Sequence, residues 1–223
     1  MSAVETMASS TSKPIVLLLC LAKQPYFEEM YAHMLAALHA RATLSASKAK
    51  QLITAPVSER PDAIYAIDAG VSKAKSNKLL KHLITYCKEG GTVVLGGNFT
   101  NHFSLGEEGT KFFAKWGVAW EPGSYHRTTV YLNPNGIQGL DTRGLEPSFS
   151  IKALYLANVD PNARVYSPSA QSRMQSHVFA PASVDTAQTP AAFTRLGEGY
   201  LGYVGDVNAE DAATKVILRM LHL

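Results

Sequence analysis

Three unbroken apolar runs set the terms on which this chain can fold: "IVLLLCLA" (15–22), "AIYAID" (63–68) and "TVVLGG" (92–97). A strand with one wet face alternates apolar and polar residues, whereas a strand buried on both faces stays apolar throughout. The stretches that follow read as helices. "YFEEMYAHMLAALHAR" sets Tyr31, Met34, Leu35 and Leu38 at helical spacing, with Glu28 and Glu29 in the first turn, where the helix dipole favours them. "KAKSNKLLKHLITYCKE" gathers Leu79, Leu80, Leu83, Ile84 and Cys87 on one face, with Ser72 as its expected cap and Gly90-Gly91 as its end. "EEGTKFFAKWG" reads as a further helix closed by Gly117. Strand, helix, strand in alternation predicts an α/β fold with a flavodoxin-like parallel sheet and helices on both faces.

The middle of the chain changes character. From 123 to 190 it is rich in Pro, Gly, Ser and Asn, with short strand candidates "TTVYLN", "IKALYL" and "ARVYS". The expectation is loops and edge strands decorating one domain. "AAFTRLGEGYLGYVGD" then predicts two strands joined at a Gly-Glu-Gly turn, and "NAEDAATKVILRML" a closing helix. "ATLSASKAKQLIT" (42–54) is ambiguous, a short strand and a short helix. The expected organisation is one domain over 13–223 behind a flexible tail over 1–12.

Composition narrows the partners. Apolar residues make up 46% of the 223 and charged residues 17%, enough for a true core. A net charge of +3 is well short of a nucleic-acid footprint, and Lys73, Lys75, Lys78, Lys81, His82 and Lys88 read as one solvated helix face, so no nucleic acid is expected. Two cysteines, Cys20 and Cys87, do not make a disulfide scaffold and point to a reducing compartment, hence the cytoplasm. "IVLLLCLA" has the length of a signal h-region, but a polar stretch with Glu5 and a single basic residue precedes it, so it is read as a strand. It is too short to span a bilayer, and no membrane partner is expected. "GEGYLG" (197–202) matches the dinucleotide fingerprint only in letters, since its glycines fall in a hairpin and not at a helix start. The P-loop, G-x-S-x-G, H-E-x-x-H and Cys-x-x-Cys patterns do not occur, so neither cofactor nor metal is expected.

Two regions carry a resemblance. "DAIYAID" leading through a helix to "CKEGGTVVLGGNF", together with the C-terminal hairpin "FTRLGEGYLGYVGD" and its closing helix, resembles the class I glutamine amidotransferase-like fold, including its trehalose-utilisation-type branch. The likeness covers roughly half of the chain and implies that superfamily's topology. It also implies a glutaminase apparatus: a Cys on a G-x-C-x-G elbow, deprotonated by a His that a Glu orients in a late H-x-E. Here the elbow places Asn98 at the Cys position, none of the seven histidines is followed two residues later by Glu, and the late strand ends in Asp206. An amide cannot replace a thiolate, so glutamine hydrolysis is not expected.

The candidate site lies where "GGTVVLGGNFTNHF" turns after its strand, because open α/β sheets bind ligands at the carboxyl ends of their strands. Gly97, Asn98, Asn101 and His102 are the expected ligand-binding residues. The leading expectation is a catalytically degenerate protein, a homodimer, that binds a small polar ligand or a protein partner. The alternative is a hydrolase or isomerase with a relocated set, Cys20 or His102 with Asp68 or His126 assisting. At the same edge Asp68 is equally a ligand-binding carboxylate or a cap for the next helix, and Asp206 reads as a cap ahead of "AEDAATKV", with Asn208 also available.

Overall fold

In a computed structural model that describes residues 13–45, 54–176, 178 and 180–223, the three apolar runs are neighbouring parallel strands. They are β1 (Ile15–Leu19), β3 (Ala63–Asp68) and β4 (Thr92–Asn98), with β2 (Thr43–Ser45) outside β1. Val16 pairs with Ala63 and Ala63 with Thr92. Every residue of β3 and β4 is buried, as continuous apolar runs require. The tail over 1–12 and the helix expected within 46–53 lie outside the described residues.

The sheet is not all parallel, which corrects the sequence expectation. Among the described residues its nine strands run in the order β2-β1-β3-β4-β9-β8-β7-β5-β6, where β5 is Glu121–Leu132, β6 Ser148–Ala157, β7 Arg164–Pro168, β8 Ala191–Leu196 and β9 Gly199–Val204. The first five in space are parallel, and the last four are added antiparallel. The 123–190 region therefore extends the main sheet; it does not merely decorate it. β6 then turns back. Leu154 N donates to Gly205 O (3.0 Å) and Leu156 exchanges hydrogen bonds with Thr189, so the outer edge of β6 meets the chain at the end of β9 and the start of β8. The antiparallel half curls almost into a barrel.

Strand side chains alternate between faces, so the sheet divides two cores. On one face Val16, Tyr65, Ile67 and Val94 pack under Tyr31, Met34 and Leu38, and under Val216 and Ile217 of the last helix, α5 (Asp211–Met220). On the other, Leu17, Ile64, Val93 and Leu95 pack under Leu80, Leu83 and Cys87 and under Phe112, Phe113 and Trp116. Those two helices are α3 (Asn77–Lys88) and α4 (Glu107–Trp116). Gly117 at φ +80° closes α4 as expected, and Gly197 at φ +65° turns the β8–β9 hairpin. The first helical stretch is broken in two at Tyr31, into α1 (Phe27–Met30) and α2 (Ala32–Arg41). Ser72 is not the cap of α3: it sits in a 3₁₀ turn, donating to Ala69 O (2.8 Å), and the helix starts five residues later. No helix among the described residues is long and apolar enough to cross a membrane.

Candidate functional site

β4 lies between β3 and β9 and ends in a tight turn that Phe99 N closes on Gly96 O (3.1 Å). The residue bent into the left-handed region there is Gly97, at φ +58°. A Cβ on Gly97 would stand 2.8 Å from both Ile67 Cγ1 and the Tyr65 hydroxyl. In a nucleophile elbow the strained residue carries the reactive side chain. Here that position is glycine and has no room for anything else. Asn98, read from sequence as the elbow residue, is the last residue of the strand itself.

Asn98 is wholly buried, yet only half satisfied. Its Oδ1 accepts from Asn101 Nδ2 (3.2 Å) and from the Tyr26 hydroxyl (3.4 Å), while its Nδ2 has no partner among the described residues. A buried donor without an acceptor costs about 1–3 kcal/mol unless something fills the gap. Tyr26, in the loop between β1 and α1, stands 2.9 Å from His102 Nε2. Asn101 Nδ2 also lies 3.4 Å from the Tyr31 hydroxyl and from Val207 O. Thr100 Oγ1 donates to Asp206 O (2.8 Å), tying the turn to the end of β9. Tyr26, Asn101 and His102 are exposed, so a buried amide lies beneath an open polar rim.

The relocated catalytic set does not assemble. Asp68 accepts from Ala22 N and Gly70 N (2.8 Å each), clasping the loop after β1 to the turn after β3. This capping role occupies both of its oxygens. Cys20 faces that carboxylate and not an imidazole: burial first, then the hydrogen bond to Asp68 and its charge, push the thiol up to about 12. Such a thiol stays protonated at neutral pH, whereas the alternative read from the sequence needs Cys20 beside an imidazole. His126 lies on β5, stacked on Tyr155 with ring centroids 4.3 Å apart, and burial lowers its pKa. Among the described residues no hydrogen bond joins it to Cys20, Asp68, Asn98 or His102.

Asp206, at the far side of the turn, is buried and accepts from Asn208 N (3.0 Å) and Glu210 N (2.7 Å), organising the entry to α5. Burial outweighs those bonds and raises its pKa to about 6. Among the described residues no three His, Cys, Asp or Glu side chains group as a metal site.

Sequence reasoning found Asn98, Asn101 and His102 but missed Tyr26 and Tyr31. Helical periodicity assigned Tyr31 to the core, and its ring is indeed buried while its hydroxyl meets Asn101. Tyr26 was findable only from its place after β1, on the same sheet edge.

No protein-family model and no curated protein matches the chain. Solved structures do. A cytoplasmic protein of Salmonella typhimurium LT2 superposes with a TM-score of 0.57 at 10% identity, covering 93% of this chain and 98% of its own. A ThuA-like protein of Bacteroides uniformis gives 0.54 at 9% identity, covering 96% and 93%. This chain has a ThuA-like fold. A second ThuA-like protein, of Parabacteroides merdae, gives 0.52 at 10% identity over 94% of this chain and 89% of that one. At such identity the ThuA-like likeness concerns the path of the backbone, not the site.

Proposed function

We propose that this chain is a catalytically degenerate member of the amidotransferase-like superfamily that binds a small, neutral, polar ligand at the carboxyl edge of β4. Its five parallel strands, in the spatial order β2-β1-β3-β4-β9, support a flavodoxin-like arrangement, in which that edge is the ligand side. One observation carries the reading: the unpartnered, buried Nδ2 of Asn98. A ligand oxygen accepting from it would complete the network, with Tyr26 and His102 at the rim. The nearby carboxylates, Asp68 and Asp206, already hold backbone N–H groups, so neither offers a free oxygen to a cationic ligand, and a neutral polar one is the class proposed. No covalent step is invoked, since the strained position is Gly97 and the thiol of Cys20 is held protonated. Cys20 and Cys87 are unpaired, in keeping with a cytoplasmic setting.

The test is a thermal-shift screen of small neutral polar compounds, followed by NMR of the Asn98 side-chain amide. A hit should shift that amide resonance and weaken at least about ten-fold in Asn98→Ala, a loss of ~1.4 kcal/mol. Hits indifferent to Asn98→Ala, or ammonia released from glutamine by the purified chain, would overturn the reading.

A further inference from the structure

The outer strands carry a concave feature that lies apart from the Asn98 network. β5 presents Tyr125, Arg127, Thr129 and Tyr131 at every second position, hence on one face. With Lys152 of β6 beside them and Arg173 on the opposing wall, they form a groove of about 860 Å³. No residue of the Asn98 network lines it. Its wall is fastened to its floor: Gln175 N donates to Arg127 O (2.8 Å), and Gln175 Nε2 donates to Thr129 Oγ1 (3.0 Å). The concavity is therefore preformed, and its volume suits one small ligand.

Charge identifies the occupant's chemistry. Among the described residues the groove is lined by three cations and no carboxylate. Arg127 is paired with Glu210. Arg173 Nη1 donates to the carbonyls of Ala170 and Ser172 (2.8 Å each), which fixes the guanidinium without neutralising it. The Lys152 ammonium stands 5.4 Å from the centroid of the Tyr125 ring. The lysines on α3 are also exposed, but none of them lines this groove. In the groove two cations, without acidic partners among the described residues, face a concavity flanked by Tyr125 and Tyr131, which are 53% and 43% exposed. Ammonium and guanidinium together suit a phosphate dianion, and partly exposed aromatic side chains suit a ring.

We propose that this groove binds a small phosphorylated ring compound, with Lys152 and Arg173 holding the phosphate and the exposed tyrosines packing on the ring. The assignment is independent of the Asn98 site and concerns a different ligand.

Adenosine monophosphate and glucose 6-phosphate serve as probes on the full chain, with adenosine and glucose as matched neutral controls, by titration calorimetry. One of the esters should bind with a Kd at or below about 1 mM, at least ten-fold tighter than its neutral counterpart. Its affinity should fall as sodium chloride rises from 50 to 300 mM. Lys152→Gln with Arg173→Gln should weaken binding at least ten-fold, and Asn98→Ala should leave it unchanged. Should the double variant fail to fold, Lys152→Glu alone should give the same loss. Binding of neither ester overturns the proposal. So does equal binding of the neutral control, indifference to the lysine and arginine changes, or loss of binding in Asn98→Ala. Displacement by tetraglutamate as effective as by the ester also overturns it, since the groove would then be a surface for acidic peptides.

Discussion

At the scale of single residues, Gly97 shows why this elbow carries no reactive group. Its backbone is left-handed, and a methyl group there would press against the Ile67 side chain and the Tyr65 hydroxyl at 2.8 Å. Both neighbours are fully buried and hemmed in, so neither can yield without a cost. Gly97→Ala should therefore destabilise by at least about 2 kcal/mol, read as a lower urea midpoint at unchanged slope. A midpoint equal to the wild type's would mean that the turn has slack and a side chain could be housed there. Cys20 makes a complementary prediction. A thiol raised to about 12 holds about a thousand-fold less thiolate at neutral pH than an ordinary one near 9. The greater nucleophilicity of that thiolate returns part of the difference. Alkylation by iodoacetamide at pH 7.5 should run at least ten-fold slower than for a free cysteine, as followed by mass spectrometry. Faster alkylation would restore the relocated catalytic set.

Elements meet at Asp206, which joins the end of β9 to the start of α5. Its two oxygens hold the N–H groups of Asn208 and Glu210, and Thr100 holds its backbone carbonyl, so strand, helix and elbow meet at one buried residue. Burial raises that carboxyl from 3.8 to about 6 in the folded state. The folded protein then binds a proton more tightly than the unfolded chain does. Its stabilising contribution is complete below pH 4 and is lost as pH rises through about 6. Between pH 4.5 and 7.5 the loss amounts to about 2 kcal/mol. His126 and His222 act in the opposite sense, since burial lowers both and their protonation opposes folding as pH falls. A bare pH curve mixes these terms, so the measurement is a difference. The urea stability of the wild type minus that of Asp206→Asn should fall by about 2 kcal/mol across that interval. A constant difference would show that the carboxyl titrates as it does in the unfolded chain.

At the scale of the whole molecule, the described residues build on one nine-stranded sheet that changes from parallel to antiparallel at β9. The parallel half was legible because strands buried on both faces leave uninterrupted apolar runs, and "AIYAID" matches β3 residue for residue. In the antiparallel half the β8–β9 hairpin was legible from its Gly-Glu-Gly turn, whereas β5, β6 and β7 were legible only as isolated strand candidates. β5 is half wet and bulged between Pro122 and Tyr125, so its pattern names a strand without naming a partner. The site divides the same way. Asn98 and His102 follow from the carboxyl-edge rule, whereas the approach of Tyr26 and the turning of Cys20 toward Asp68 depend on tertiary packing that no local spacing encodes. One residue marks the closure of the outer half in retrospect. A Cβ on Gly205 would fall 2.1 Å from Leu154 O, so the backbone of β6 can reach this point only past a glycine. Gly205→Ala should therefore open the contact between β6 and the end of β9 while leaving the parallel half intact. In native-state hydrogen exchange the amides of Leu154 and Leu156, which donate to Gly205 O and Thr189 O, should exchange at least about 100-fold faster than in the wild type, a local loss of ~2.7 kcal/mol. The amides of Val93 and Leu95, between the two cores, should change only as far as global stability does. Equal acceleration in both strands would mean that the sheet opens as one cooperative unit, with β6 bound into it as firmly as β4.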